Sequence, residues 1–381
     1  MACSYGLEDP AHATIVDTIV NYFTSNVLTE FDYVILPADE EVVCVENKLG
    51  VNIKLVKPLF KSCLQALKAA DYSTTINALT RVLLLLRGDN PMLFNKRKEL
   101  FASHHASLSD ELYFTSVLFT KHPKSPSGWQ HRRWILQQEL QSINMTNELT
   151  LCSHMAEKYP KNYYAWMHRL WLLNHMNNNE LHQELDFTST WLTTHVSDHS
   201  CMNHRQQIIH RLLQNESNKS KKLEFLLSML GENKQSITMR PGSETLWYHR
   251  RGLITALLAL YQTLPCVSDD RNIDIEPILS LQLTSDQIPQ PLTSDSPDYM
   301  DIILTESQFT SECVYQESLW NHEQQRLYAY RYQLHMLQQA VTYLPSLSLQ
   351  LRTTYDKSSK NIAQELLKID CFPRVWRAKL M

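Results

Sequence analysis

The side chains of this sequence best suited to chemistry recur in one phrase, Trp-x-His-Arg. It stands in "PKSPSGWQHRRWIL" at 123–136 and again in "PKNYYAWMHRLWLL" at 160–173. On a helix, a Trp and the Arg three residues later are neighbours on one face. The guanidinium can then lie over the indole or reach carbonyls at the end of a neighbouring helix. The phrase therefore predicts aromatic and cationic side chains that hold helices together.

The histidine of the phrase raises the question of a metal site. It recurs as His131, His168, His204 and His249. Zinc ligands must converge on one ion, whereas residues at the same position of successive repeats form a spaced row. The eight cysteines contain no C-x-x-C pair, and no Gly-rich phosphate loop, G-x-S-x-G or paired-carboxylate motif is evident. We therefore expect neither a metal site nor a complete active site on this chain.

Five copies of the phrase define a helical repeat. The paired positions are Phe94/Arg97, Trp129/Arg132, Trp166/Arg169, Met202/Arg205 and Trp247/Arg250, and the intervals between copies are 35, 37, 36 and 45 residues. This period fits one helical hairpin per repeat. Apolar residues follow six and seven positions later, as Ile135/Leu136, Leu172/Leu173 and Leu253/Ile254. These ten paired residues are expected to be structural, and each phrase is expected to begin the second helix of a hairpin.

Each copy also carries its own signal for the start of a helix. Four residues before the aromatic residue or Met stand Asn90, Ser125, Asn162, Asp198 and Ser243. Their side-chain oxygens can accept from an unpaired N–H of the first helical turn. Pro91 and Pro126 follow at the first helical position, where a missing N–H costs nothing. The capping residues thus support the repeats independently of the aromatic pattern.

Composition agrees with an all-α fold. Only 7 of 381 residues are Gly, too few for the many turns of a β-rich protein, while 43% are hydrophobic. We predict a right-handed α-α superhelix, a solenoid of helical hairpins with an atypical N-terminal cap. A net charge of -4 argues against nucleic acid as the main partner, including an RNA-reading helical repeat. No signal peptide or membrane span is evident, so a cytoplasmic location with reduced thiols is expected.

Four segments are predicted along the chain. Residues 1–60 form an atypical cap, in which "FDYVILP" and "VVCVENKLGVNIKLV" suggest short strands around a Gly turn or an irregular cap. Residues 61–264 carry the helical repeats, and residues 265–304 form an acidic, mobile insertion rich in Pro, Ser and Asp. Residues 305–381 contain degenerate repeats, where Trp320 echoes the phrase but Glu323 replaces its Arg.

The phrase Pro-x-Asn-Tyr-x-x-Trp-x-x-Arg resembles the α-subunit repeats of protein prenyltransferases. The resemblance covers about residues 85–260 clearly and 305–345 faintly. It implies a heterodimer with a β subunit, an α-α barrel that holds the isoprenoid pocket and a catalytic zinc. Zinc lowers the pKa of the substrate cysteine, and its thiolate attacks C1 of an allylic diphosphate. The expected complex uses a β subunit of the Rab geranylgeranyltransferase type, geranylgeranyl diphosphate as co-substrate, and protein substrates with C-terminal cysteines.

The resemblance also implies one catalytic cation on this chain. The Lys of the family's Lys-Asn-Tyr repeat falls on Lys161, with Tyr163 beside it, and both would lie on the diphosphate side. The row of histidines would contribute to the surface that faces the β subunit. Two alternatives stay open. Lys161 can be a solvated lysine next to a turn, as Lys124 is in the previous copy, and the chain can be a non-catalytic scaffold for protein–protein interaction.

Overall fold

The computed structural model describes residues 5–25, 27–37, 40–263, 276–282, 298–315, 322–344 and 349–369. The chain divides into two compact units, residues 1–176 and residues 177–381. Each unit is built mainly of helices arranged in antiparallel pairs, which confirms the predicted all-α helical-repeat class. Among the described helices, none combines the length and the apolar character needed to cross a membrane.

The first unit opens with a small α/β cap. Helix α1 (Pro10–Thr24) precedes strands β1 (Glu30–Val34), β2 (Val42–Val45) and β3 (Lys48–Asn52). The sheet order is β1-β3-β2, with β1 parallel and β2 antiparallel to β3. The strands suggested by the sequence are therefore present. The expected Gly turn is wrong: Glu46 and Asn47 make the β2–β3 turn at positive φ, while Gly50 lies within β3.

Gly50 is needed in β3 for space rather than for a turn. A Cβ at this position would lie 2.7 Å from Cγ2 of Val34 and 3.1 Å from Cγ1 of Val43. Because Val34 lies in β1 and Val43 in β2, the two strands that flank β3, any larger residue would push the sheet apart. The cap is thus closely packed, and buried Phe31, Leu49 and Val51 join its sheet to the helical core.

The rest of the first unit is helical. It contains α2 (Val56–Lys68), α3 (Ser73–Leu86), α4 (Pro91–Ala102), α5 (Leu108–Lys121), α6 (Pro126–Gln138), α7 (Met145–Lys158) and α8 (Tyr163–Leu172). Short 3-10 segments follow α6 and α8, at Leu140–Ser142 and Leu173–His175. Helices α4, α6 and α8 begin with the recurring phrase, and each follows the helix on which it packs. The phrase therefore starts the second helix of a hairpin, as predicted.

The second unit is also built of paired helices. Its helices are α9 (Asn178–Thr194), α10 (His199–Asn215), α11 (Lys219–Met239), α12 (Glu244–Tyr261), α13 (Glu276–Leu279), α14 (Tyr299–Tyr315), α15 (His322–Tyr343) and α16 (Leu349–Lys368). The phrase begins α10 and α12. Most of the predicted insertion 265–304, and Trp320 of the degenerate copy, lie outside the described residues. Within the insertion, α13 is helical and α14 starts at Tyr299.

Four of the five predicted caps form. The side chains of Asn90, Ser125, Asn162 and Asp198 each accept from a backbone N–H in the first turn of α4, α6, α8 and α10. Ser243 stands at the cap position of α12, but its buried hydroxyl has no partner among the described residues. A side-chain cap contributes about 1 kcal/mol, so four helix starts are fixed by local sequence and the fifth depends on packing.

Candidate functional site

Lys161 lies on an exposed turn between α7 and α8. Its φ is +61°, in the left-handed region that residues with a Cβ seldom adopt. The equivalent residue before the cap of α12 is Gly242, with φ +79°, where glycine carries no such penalty. Lys161 Nζ makes no hydrogen bond or ion pair with any described residue. The turn therefore presents an unpaired ammonium from a strained backbone.

Asn162 fixes this turn from inside. Its side chain is fully buried, accepts from the Ala165 N–H at 3.3 Å and donates to the Pro123 carbonyl at 2.9 Å. That carbonyl also accepts from Trp129 Nε1 at 2.9 Å, so one oxygen joins the starts of α6 and α8. Because Asn162 is held on both sides, the preceding Lys161 is kept in its strained conformation.

The lysine of the preceding copy, Lys124, also reaches this turn. Lys124 Nζ donates to the Pro160 carbonyl at 3.1 Å, next to Lys161 in the chain. Tyr163, the first residue of α8, is 55% exposed and its ring meets that of Tyr164 edge to face at 5.7 Å between centroids. Two ammonium groups, a phenol and the N-terminal end of a ten-residue helix thus share one exposed surface. Such a surface favours a phosphate or another anion.

The arginines of the phrase lie inside the protein instead. Arg97, Arg132, Arg169, Arg205 and Arg250 are all at most 6% exposed, and so are Phe94, Trp129, Trp166, Met202 and Trp247. Each arginine's Nη1 donates to a carbonyl in the first helix of its own hairpin, twenty residues earlier, and to a side-chain oxygen one turn further on. The predicted reach to a neighbouring helix is correct, but the carbonyls lie within the helix rather than at its end.

In Arg97, Arg132 and Arg250, Nε and Nη2 bind a buried carboxylate of the next hairpin. Arg132 holds Glu148 at 2.8 Å and 2.6 Å, and Arg97 holds Glu111 in the same way, at 3.0 Å for Nε. Arg250 holds Glu306 at 2.8 Å and 2.7 Å. These fork-like pairs cross-link consecutive hairpins through fully desolvated charges. Sequence reasoning missed the glutamates, although Glu111, Glu148 and Glu184 stand 37 and 36 residues apart, at the period of the repeat.

The histidines complete the same clusters. Nε2 lies 2.8 Å from Glu111 in His131, 2.9 Å from Glu148 in His168 and 2.6 Å from Glu184 in His204. The prediction that this row faces a partner subunit is wrong, because all four histidines of the phrase are at most 3% exposed. Each of these three binds its own glutamate, so within the described residues the row forms separate clusters.

The charge states of the clusters follow from burial and pairing. Burial alone would raise the pKa of Glu148, but Arg132 and His168 outweigh it and lower that pKa to about 2. Burial lowers the pKa of His168 to about 4, against the opposing pull of Glu148. At neutral pH the carboxylate is therefore ionised and the imidazole is neutral, with Nε2–H donating to Glu148. The arrangement is a structural cross-link, since its groups are closed to substrate.

The comparisons with known proteins agree with this architecture. The family model described as "Protein prenyltransferase alpha subunit repeat" matches residues 108–139, 145–176 and 181–212, which correspond to α5/α6, α7/α8 and α9/α10. The copies that begin at Asn90 and Ser243 lie outside these matches, but they have the same hairpin and the same buried arginine.

Curated relatives carry the same repeat in their names. "Protein prenyltransferase alpha subunit repeat-containing protein 1" of Danio rerio is 31% identical over 268 residues, covering 55% of this chain and 63% of that protein. A Xenopus laevis relative, named with the suffix 1-B, is 32% identical over 271 residues, with the same coverage. The Homo sapiens protein is 30% identical over 202 residues, covering 45% and 50%. The chain thus spans less than two thirds of these relatives. Within residues 108–212 it carries three copies of the protein prenyltransferase alpha subunit repeat.

Proposed function

We propose that this chain is the α-like subunit of a heterodimeric protein prenyltransferase, paired with a β subunit of the Rab geranylgeranyltransferase type. The complex would attach geranylgeranyl from geranylgeranyl diphosphate to C-terminal cysteines of protein substrates, in the cytoplasm. The proposal assigns no complete active site to this chain: the isoprenoid pocket and the zinc that supplies a reactive thiolate belong to the β subunit. This division agrees with a chain whose buried polar clusters are closed to substrate.

The observation that carries the proposal is the turn at Lys161. It lies within the second matched repeat, carries an unpaired ammonium, and is held in a left-handed backbone by the buried Asn162. Strain that the surrounding structure maintains is a feature of functional positions. In the proposed complex, the Lys161 ammonium stabilises the negative charge that grows on the leaving diphosphate. Lys124 adds positive potential at the same turn, and the Tyr163 hydroxyl can donate a hydrogen bond.

Co-expression tests this function. The chain is produced with a geranylgeranyltransferase-type β subunit, and transfer of labelled geranylgeranyl to proteins with C-terminal cysteines is measured. The wild-type pair should be active and the chain alone inactive. Lys161→Ala should lower the rate by about tenfold or more, since loss of one charge-stabilising donor costs that much in transfer reactions, while the pair still copurifies.

Lys221→Ala is the matched control for that variant. Lys221 is an exposed lysine at the start of α11, in another repeat. Its removal changes the net charge by the same amount and should leave the rate unchanged. Equal losses of rate from the two variants would show that the effect comes from net charge and not from the position of Lys161. Failure of the chain to form a complex with any β subunit of this type would refute the proposal.

A scaffold without chemistry is the second candidate. One specific observation favours it: the recurring Trp, Arg and His residues are buried and cross-link hairpins, so they require no reaction to explain them. A scaffold would copurify with a partner protein but would show no transfer that depends on Lys161. The rates of the wild-type and Lys161→Ala complexes therefore separate the two candidates.

A further inference from the structure

The series of buried carboxylates is interrupted in the second unit. In each hairpin, the residue just before the carbonyl that binds the arginine's Nη1 holds the carboxylate position: Glu111 precedes Leu112, Glu148 precedes Leu149 and Glu184 precedes Leu185. In α11 the carbonyl that binds Arg250 belongs to Leu230. The carboxylate position there is Met229, which cannot carry the charge.

Two groups that bind the buried carboxylate elsewhere are left without a buried one here. Arg205 Nη2 lies 3.7 Å from Met229 Sδ, a weak acceptor, and no described residue accepts from its Nε. His249, at the position of His131 and His168, is 3% exposed, and no described residue bonds to its Nε2, the atom that binds the glutamate in those two histidines. Buried polar groups are normally satisfied, so this pair of donors points to a missing acceptor.

A cavity of about 130 Å³ lies at this position. Its lining includes the buried residues Arg205, Met229 and His249, and also Glu232 and Arg240. A water molecule needs roughly 10–15 Å³ of such space, so the cavity has room for a carboxylate and the first carbons attached to it. The cavity lies wholly within the second unit.

Glu232 fills the vacancy only partly. One of its oxygens lies 3.2 Å from Arg205 Nη2, but its side chain is 53% exposed, and it makes no hydrogen bond to His249. An ion pair this open to solvent is weak. The remaining charges around the cavity are positive, since Arg240 reaches the carbonyls of Leu192 and Thr193 through its guanidinium without a carboxylate partner among the described residues.

We propose that this cavity binds a carboxylate supplied from outside the chain. The group would accept from Arg205 and from His249 Nε2–H, at the place that Glu148 occupies between Arg132 and His168. The source is either a small free carboxylate or the acidic side chain of a bound protein. The site is independent of the Lys161 turn and of the transferase proposal, because it stands on the geometry of α9 to α12 alone.

Calorimetric titration of the full chain tests the site. Acetate and succinate represent the free acid, and a short peptide with one Glu and blocked ends represents a protein side chain. Saturable binding of the small acids assigns the first source, and binding of the peptide alone assigns the second. Absence of saturable binding in all three titrations overturns the proposal.

Three variants sharpen the test. Met229→Glu supplies the internal carboxylate, so it should raise the melting temperature and weaken binding of added carboxylate at least about tenfold. Met229→Gln has the same length without the charge and should retain binding. Glu232→Gln removes the competing negative charge and should tighten binding. If Met229→Glu binds as the wild type does, or if Glu232→Gln abolishes binding, the assigned position is wrong.

Discussion

Arg132 and Glu148 form a two-bond ion pair between consecutive hairpins, with Nε–Oε2 at 2.8 Å and Nη2–Oε1 at 2.6 Å. Arg132 belongs to the second helix of one repeat and Glu148 to the first helix of the next. The two residues stand 16 positions apart in the chain, so they meet only because the two hairpins pack together. Both side chains are almost fully buried. The pair therefore sets how one hairpin stacks on the following one, in addition to apolar packing.

Removal of one partner of this pair should strongly destabilise the first unit. Glu148→Ala leaves the Arg132 charge buried without an acceptor, and we expect a loss of roughly 3–5 kcal/mol in the free energy of unfolding. Denaturant unfolding followed by circular dichroism measures it. Glu139→Ala, at an exposed site at the end of α6, should change stability by less than about 0.5 kcal/mol.

Replacement of both partners should cost less than the two single changes together. The double variant Arg132→Met, Glu148→Leu removes both charges and keeps most of the volume, so no uncompensated charge is left. A double-mutant cycle should give a coupling energy of about 0.5–3 kcal/mol. Additive losses would show that the pair contributes nothing beyond its separate contacts.

Stability should decrease in acid over two pH ranges. Burial lowers the pKa of His168 to about 4 and that of His249 to about 3, from an unfolded value near 6.5. Because the folded pKa values are depressed, the unfolded chain takes up these protons more readily than the folded chain. The stability that the neutral imidazoles contribute is therefore complete above pH 6.5 and is lost as the pH falls from there to the folded pKa values. The pKa values of Glu111 and Glu148, about 2 in the folded chain, add a second loss below pH 4.5.

Melting temperatures from pH 8 to pH 3 measure this dependence. The His168→Gln variant should lack part of the loss between pH 6.5 and pH 4, because glutamine does not take up a proton there. The depressed pKa of His168 corresponds to about 3 kcal/mol over that range. A melting temperature that stays constant between pH 7 and pH 4 would contradict the assignment of a neutral, buried imidazole.

The caps of α8 and α12 should respond differently to the same change. Asn162→Ala removes the cap of α8 and the bond to the Pro123 carbonyl, and should cost about 2 kcal/mol in stability. Ser243→Ala removes a hydroxyl that makes no cap bond and has no partner among the described residues, so its cost should be near zero. Equal costs would mean that the cap position, rather than its hydrogen bond, determines stability.

The backbone at Lys161 should prefer glycine. Lys161→Gly relieves the left-handed strain and is expected to raise the free energy of unfolding by about 0.5–1 kcal/mol. Lys124→Gly, at the equivalent position with ordinary φ, should lower stability instead. Thermal unfolding of the two variants compares them directly. A less stable Lys161→Gly protein would show that the lysine side chain, and not the strain, dominates at this turn.

Local pattern explains a large part of the fold. The caps of four helices, the prolines at first helical positions and the aromatic residues of the phrase could be predicted, because each depends on residues a few positions apart. The strands of the cap could also be found from their composition, but not their turn. Glu46 and Asn47 take left-handed φ in the turn where the sequence suggested Gly50. Gly50 lies in the sheet instead, because the space between Val34 and Val43 is too narrow for a Cβ.

What the sequence by itself determined is the repeat: its period, its helix starts and the apolar residues that fill each hairpin. Only the tertiary structure decided which polar groups meet. Arg132, Glu148 and His168 come from three helices, and their pairing depends on how neighbouring hairpins stack. The strained backbone of Lys161 and the missing carboxylate at the position of Met229 likewise become visible only from the packing between helices. Residue spacing along one helix does not encode that packing.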